Sequence, residues 1–569
     1  MRNPNEKSTP TYLTRGYTEL CGIDMSGDCK NSFAYLENMY VDYESGANGV
    51  ESIPGYHRIL SLNKPLNSIA IGGVGEDKYL LIHAADQLYR LSKKEREMVN
   101  SISPIAKIID RKSRIFAFGR LVFIADGVNL LRLTDDEIET ISSDSAHAEC
   151  TLGALFDNRL FLGGNPNSPS TVYYSNPIAD GRVEFPSENK INLSSTDSAI
   201  SALLAYENRL WIFASEDLGA GSIVLLKRRG DSYFPETSIY APRCLSNAVA
   251  YNNRIFYMSD EGVMQIENPC DAVDRRIECR SMPIQPMISL ENKKSAELNV
   301  WSGYIAVSFG ERVYLADTRH RSGEIKWYFL NSIGGYRGDR RVYRYLSHSD
   351  SDYKIHKNPG KAAEGEVISI KPEDGEMIYY SSEGENRYAV YPTEERHGGE
   401  FIPAARYLSD GTLMWFATED SNVYIFNKKD QSYNESDEMG AKMNYYAFDN
   451  HASRHVALTH KDDCGLISQE KASVPDSLRI ELTANTSGDL TLSFIADDRI
   501  RDERKIKPRQ EDSPIPIYNS AISYANRDCI ACISEKPFGW NKRQLLFTNN
   551  DYNASFGIKS ISFGYRIKQ

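Results

Sequence analysis

Apolar and polar residues alternate with a period of two along most of this chain, in short runs separated by polar turns. That is the pattern of β-strands with one buried face. Helical spacing is nearly absent. One phrase recurs: a polar turn, often followed by Arg or Lys, then an apolar and aromatic run, a second turn, and another apolar run with Tyr or Leu. It reads DKYLLIHAADQLYRL from Asp77, GRLVFIADGVNLLRL from Gly119, DNRLFLGG then TVYYS from Asp157, and ENRLWIFAS then SIVLLK from Glu207. It returns as NNRIFYMSDEGVMQIE from Asn252, SGYIAVSFGERVYLAD from Ser302 and DGTLMWFATEDSNVYIFN from Asp410, with a weaker copy, DGEMIYYSSEGENRYAVY, from Asp374. Each copy reads as a hairpin; Asp126-Gly127 is a turn signal between two apolar runs.

The earlier copies are spaced by about 38 to 50 residues, the span of a four-stranded propeller blade. The repeats therefore predict an all-β fold: a seven- or eight-bladed β-propeller over residues 59–438, with little helix. Trp211, Phe213 and Phe256, at alternate strand positions, are expected to lie between neighbouring blades. The stretch 319–365 breaks the rhythm and reads as an elaborated blade with a long loop.

Beyond the repeats the pattern changes. Residues Pro475–Asp498 alternate strictly through Leu478, Ile480 and Leu482, then Leu490, Leu492 and Phe494. The turn Thr486–Asp489 joins these runs into an expected amphipathic hairpin. The last strand alternates through Ile558, Ile561, Phe563, Tyr565 and Ile567. Residues 439–569 thus read as a C-terminal β-sandwich, and residues 1–58 as an N-terminal arm used in assembly.

Composition narrows the function. Tyrosine is abundant (35 Tyr against 21 Phe), which suits half-buried strands and wet interfaces. A net charge of −12 argues against tight nucleic-acid binding, which needs a basic footprint. The 9 cysteines are scattered, and Cys529 and Cys532 form a lone C-x-x-C, read as two structural thiols on a strand. The N-terminus has no apolar signal core and no run is long enough to cross a bilayer, so synthesis in a cytosol and no membrane span are expected.

The N-terminal phrase ENMYVDYESGANGVESIPGYHRIL resembles the opening of bacteriophage tail and head–tail connection proteins that carry a β-propeller. Asn38, Met39, Pro54, Gly55 and Tyr56 match, while Ile53 stands where Arg is common. The segment Leu155–Pro186 and the C-terminal strands are similar to the same proteins. The resemblance implies a structural virion protein of the tail, nozzle or neck, present as a homo-oligomeric ring that helps form the DNA ejection channel. Its partners would be other tail, adaptor or portal-proximal subunits, with transient, non-specific contact to phage DNA. The alternative from the sequence is a receptor- or glycan-binding propeller at the tail tip.

Candidate chemistry is sparse. No H-E-x-x-H, G-x-S-x-G or phosphate-binding glycine loop occurs, no carboxylate pair stands out, and the expectation is a protein with no catalytic residues and no cofactor. His451, His455 and His460 are the densest histidine cluster, read as surface or interface groups, with a metal as the rival reading. The Arg after each turn (Arg159, Arg209, Arg254) reads as a structural contact to carbonyls of the neighbouring blade. Trp327, Arg337, Arg340, Arg341 and Arg344 form a basic-aromatic stretch, read as a protein interface, with DNA contact through the arginines as the rival reading.

Overall fold

The computed structural model describes residues 11–18, 21–25, 32–41, 43 and 49–337, the last with short breaks at 54, 95–98, 100, 135–136, 180–181, 194–197, 216–219, 231 and 321–322. Beyond these it describes 354–356, 379–382, 385–387 and 400–426. The C-terminal strands 454–460, 473–482, 490–496, 499–506, 529–534, 543–549 and 557–567 complete the description.

The chain is nearly all β. Its described helical segments are three 3-10 turns and one helical turn, Gln285–Ile288. From Leu66 onward, six four-stranded antiparallel sheets follow one another, each a meander of consecutive strands. Their first strands are Leu66–Gly72, Arg114–Phe118, Leu152–Phe156, Ala199–Tyr206, Ala248–Tyr251 and Glu297–Trp301, and the sheets are numbered 1 to 6 in that order. A seventh sheet runs Glu400–Ser409, Met414–Thr418 and Asn422–Phe426, and its outer strand is Tyr56–Ser61, supplied from far upstream. Each first strand neighbours the next, and that of sheet 7 returns to that of sheet 1, so the sheets close a ring. This is propeller architecture, and it leaves the ring sheets' inner edges inside.

The hairpins form where the repeats place turns. At Asp157-Asn158, Glu207-Asn208 and Asn252-Asn253 both residues have positive φ, from 50° to 56°. Two-residue loops of this hand match the twist of the flanking strands, and Asn and Asp tolerate the conformation. Asp126 caps its own turn by accepting from the backbone N–H of Val128 and Asn129.

Packing follows the period of two. In the second strand of sheet 4, Trp211 and Phe213 cluster with Ile255 and Tyr257 of sheet 5. Leu210, Ile212 and Ala214 cluster with Phe161 and Tyr174 of sheet 3. Phe256 and Met258 of sheet 5 join Leu298 and Ala306 of sheet 6. The expected burial of Trp211, Phe213 and Phe256 between sheets is what the structure has.

Two readings are corrected. The weaker repeat copy from Asp374 is not a ring sheet: its described strands, Tyr379–Ser382 and Glu385–Arg387, pair with each other, and the first also pairs with Lys354–His356, in a separate three-stranded sheet. Of the stretch 319–365, read as an elaborated blade with a long loop, the described part includes the strand Lys326–Leu330, the fourth of sheet 6. Ser473–Leu482 and Leu490–Ala496 are not a hairpin either. The first pairs with Cys529–Ser534 and Gly557–Ile567, the second with Arg499–Ile506 and Arg543–Asn549. They lie in two different sheets, and Ile480 and Leu482 of one meet Leu492 and Phe494 of the other in a shared apolar cluster. Alternation fixes which face is buried, not which strand is the neighbour.

The N-terminal stretch belongs to those two C-terminal sheets rather than standing apart as an arm. Thr11–Thr18 pairs along Ser560–Ile567, Val50–Ser52 joins the start of the same final strand, and Tyr35–Leu36 pairs with Arg454–His460. Among the described residues no helix is long and apolar enough to cross a membrane.

Replacing Trp211 by Ala should lower stability by about 3–5 kcal/mol, since a fully buried indole leaves a cavity between two sheets. Trp211→Phe should cost under about 1.5 kcal/mol, because the indole N–H has no hydrogen-bond partner here to lose. Denaturant titration of both variants checks the pair; equal losses would place the residue outside the packed interface.

One buried and one half-buried histidine set an acid limit. His83 is fully buried, with Nδ1 2.8 Å from Ser113 Oγ, itself 2.7 Å from Ser68 Oγ. Burial holds its imidazole below the ordinary value, and burial does the same to His147. The unfolded chain therefore binds more protons as pH falls. Stability is fully present above about pH 6.5 and is lost below it, with a slope of up to about 1.4 kcal/mol per pH unit for each histidine. Melting between pH 7.5 and 5.5 should show the loss, and His83→Gln should flatten it.

Candidate functional site

Two places stand out, a buried joint and an open groove. The joint is built from the residues of the N-terminal phrase. Asn38 is fully buried with φ of 56°, a backbone state that Asn adopts more readily than most residues. Its N–H donates to the carbonyl of Phe329 (2.8 Å), its Oδ1 accepts from the N–H of Asn331 (2.9 Å), and its carbonyl accepts from Ile53 (3.1 Å). Beside it, the buried carboxylate of Glu37 accepts from Tyr35 (2.7 Å) and from the Asn331 amide (2.9 Å). Burial, then that carboxylate, push the Tyr35 phenol above its usual range.

Two further residues of the phrase are internal. Met39 and Tyr56 are fully buried. Tyr56 packs edge-on to Phe416 at 4.8 Å, and its hydroxyl accepts from the N–H of Gly334 (3.2 Å). Further along, Arg319 lies between the rings of Tyr43 (4.4 Å) and Tyr304 (4.3 Å), donates to Asp317 (3.0 Å), and Asp317 accepts from Tyr43 (2.7 Å). The Tyr304 hydroxyl closes this contact on the carbonyl of Val41. The described residues between 21 and 43 thus pack on the outer strand of sheet 6 and connect it to the C-terminal sheets.

Trp327, read from the sequence as an interface residue, lies here and is fully buried. Its indole N–H donates to Arg280 (2.9 Å), and its carbonyl accepts from Ile23 (2.7 Å). Its partner is this chain's own N-terminal segment, so it offers no free surface. Arg337 ends a short strand, Gly334–Arg337, paired with Glu400–Pro403 of sheet 7. Arg340, Arg341 and Arg344 lie outside the described residues, as does His451. His455 and His460 sit on the strand Arg454–His460, and Cys529 and Cys532 on the strand Cys529–Ser534. Among the described residues no group of three His, Cys, Asp or Glu side chains could hold a metal.

The turn arginines act within their own sheets. Arg159 donates to the carbonyl of Ser175 (3.0 Å) in sheet 3, and Arg254 lies 3.9 Å from Glu267 in sheet 5. The reach to a neighbour comes through rings: Arg159 stands 5.8 Å over Tyr233 of sheet 4.

The groove was not foreseen from sequence. It has a volume of about 590 Å³ and lies where the Asp157 turn of sheet 3 meets the Glu207-Asn208 turn and the outer hairpin of sheet 4. That hairpin, Ala220–Arg229 with Ser232–Pro242, has strands of 10 and 11 residues and is the longest in the ring. It carries Arg228 to Asp157 (2.8 Å) and pairs Lys227 with Glu236 (2.9 Å). Asp157 also accepts from Tyr233, and burial followed by this carboxylate pushes that phenol up. Arg209 lines the same groove and makes no hydrogen bond or ion pair among the described residues. A third charged set sits on first strands: Glu297 of sheet 6 lies 4.0 Å from Arg406 of sheet 7 and accepts from the N–H of Tyr407 (3.1 Å). Burial pushes the Glu297 carboxyl up, against the pull of Arg406.

No family model matches the chain, and no curated protein matches it. Among solved structures, it is similar to the WD40 domain of SCAP from fission yeast, with 10% identity over 65% of this chain and 97% of that one, TM-score 0.36. The Neurospora crassa Pan2 WD40 domain gives 9% over 66% and 96%, TM-score 0.37. BamB from Moraxella catarrhalis gives 8% over 74% and 99%, TM-score 0.32. Likeness at this level adds nothing to what the strand pairing shows.

Asn38→Ala should cost about 2–4 kcal/mol, combining the strained backbone state with an orphaned Asn331 N–H. Asn38→Gly keeps the backbone state and should cost about half as much. Thermal melts rank the two, and an Ala variant no worse than Gly would remove the joint's special geometry.

Proposed function

We propose that this chain is a non-catalytic structural protein of a bacteriophage tail or neck, working as one subunit of a ring around the DNA exit path. In this reading the seven ring sheets are the blades of a complete seven-bladed propeller, and the two sheets of N- and C-terminal strands are a β-sandwich. The observation that carries it is the place of the residues on which the resemblance rests. Asn38, Met39 and Tyr56 all sit in the joint that ties sheet 6, sheet 7 and the terminal sheets together. Their similarity to phage tail proteins is then a similarity of internal construction, where a rigid building block needs it.

The charge balance supports the same reading. A net charge of −12 gives DNA phosphates no overall attraction to the chain, which suits a surface past which DNA must slide. The terminal sheets also carry a guarded margin: Arg499–Ile506, at the end of the five-stranded sheet, reads RIRDERKI, and charges along an edge discourage uncontrolled strand addition. Subunit contacts then come from the outer faces of the terminal sheets and from the segment between sheets 6 and 7. Because Trp327 and residues 21–25 are packed against each other, removing residues 1–30 would strip a buried contact from sheet 6 as well as alter assembly.

The cleaner experiment removes residues 1–18. It takes away the strand on the flank of Ser560–Ile567 and leaves all the ring strands in place. The expected outcome is a folded ring and loss of the chain from sedimented tail-bearing particles, in which the intact, tagged chain is imaged as a ring at the tail or neck. An intact chain found only as free protein, or one that turns over a glycan through an Asp or Glu pair, would overturn the proposal.

A further inference from the structure

We propose that the groove between sheets 3 and 4 is a binding site for a short, uncharged oligosaccharide. The inference does not depend on the assembly reading. Its volume of about 590 Å³ is in the range of ligand clefts, about 300–1,000 Å³. Its lining combines three acids (Asp157, Glu207, Glu236) with three bases (Arg209, Lys227, Arg228), above apolar surface from Leu155, Phe156 and Leu226.

That composition selects among ligands by exclusion. A polyanion such as nucleic acid would meet as many carboxylates as cations, so the basic footprint it needs is missing. An apolar ligand would strip water from six ionised groups, at a cost of several kcal/mol for each one left poorly paired. An extended peptide adds to a free strand edge, whereas this groove lies across hairpin ends. A neutral sugar fits each constraint. Its hydroxyls both donate and accept, so they can satisfy cations and carboxylates without adding charge, and the C–H faces of its rings can lie on Phe156 and Leu155.

The polar groups also differ in availability. Asp157 is held by Arg228 and Tyr233, and Lys227 by Glu236, which fixes the walls. Arg209 and the side chain of Asn208 make no such bonds among the described residues, while both line the groove. A guanidinium and an amide supply a fork of donors, and Glu207, one residue before them, supplies an acceptor. All three stand on the tight turn Glu207-Asn208 and its exit strand, so the recognition groups are placed by backbone geometry rather than by a loose loop.

The site also has no counterpart at the equivalent turn of sheet 5. Asn252-Asn253 has the same backbone state, yet the third and fourth strands there have 6 and 4 residues, too short to raise a second wall.

The test uses the full-length protein, fluorescently labelled, on an array carrying neutral, sialylated and sulfated glycans. Calorimetric titration with the best neutral glycan follows, for the parent chain and for Arg209→Ala, Glu207→Gln and Lys107→Ala, the last an exposed residue on sheet 1. Expected are binding of at least one neutral glycan, a loss of tenfold or more for both groove variants, and no change for Lys107→Ala, with all melting temperatures alike. Three outcomes would overturn the inference: no glycan bound above background, binding confined to acidic glycans and lost on adding salt, or neutral-glycan binding that both groove variants retain. If a groove variant fails to fold, the other two variants still decide the matter. The particle-incorporation experiment reads a different property, so either reading can fail while the other stands.

Discussion

The pairing of Tyr56–Ser61 with Asn422–Phe426 is the contact on which the rest of the architecture depends. A ring of sheets whose last member lacked its outer strand would expose a row of unpaired backbone groups. Here the missing strand comes from a segment made before any ring sheet, and Ser61 reaches Asn422 across 361 positions of sequence at 2.6 Å. The entropy of closing so long a loop grows only with the logarithm of its length. An aromatic seal of Tyr56, Phe416, Tyr424 and Phe426 supplies buried area and edge-on ring contacts to set against it.

Closing the ring in this way has a consequence for everything upstream of Tyr56. The chain must enter sheet 7 from outside, and its preceding residues are laid along the neighbouring sheet 6. Asn38 supplies the reversal, holding Phe329 and Asn331 on one side and Ile53 on the other. The same run reaches the final strand Gly557–Ile567 through Val50–Ser52 and Thr11–Thr18. Both ends of the polypeptide are thereby built into one pair of sheets, and cohesion between ring and terminal sheets comes from a shared apolar cluster rather than a linker. Phe33, Leu36, Trp327 and Leu492 belong to that one cluster.

What could be read from sequence divides along the same line. Local features were legible because local chemistry sets them: Asp157-Asn158 and Glu207-Asn208 turn as two-residue polar loops should, and Trp211 and Phe213 point to one neighbour while Leu210 and Ile212 point to the other. Non-local pairing was not. Ser473–Leu482 and Leu490–Ala496 have the alternation of a hairpin, but strict alternation is equally what two strands on opposite sides of one apolar layer show. Trp327 beside basic residues has the composition of an interface, and it is one, formed inside the chain with Ile23. The final strand held a legible hint that went unused. Ile558 and Ile561 are both fully buried although three apart, and the register shifts at that point, as a bulge requires.

The groove was invisible for a different reason: nothing in any single repeat encodes it. The turn of sheet 4 shares its sequence type and backbone with the turns of sheets 3 and 5, and in each the Arg after it starts a strand. What differs is length. The outer hairpin of sheet 4 runs several residues further than its equivalents, bringing Arg228 and Tyr233 to Asp157 and pairing Lys227 with Glu236 beside them. Those added pairs hold one wall still, while Arg209, also in the groove, makes no hydrogen bond or ion pair among the described residues. In a fold made of near-identical units, each sheet's regular part is already committed to packing against two neighbours. Specific recognition is therefore left to the positions where one unit exceeds the others, and in this ring the excess is at sheet 4.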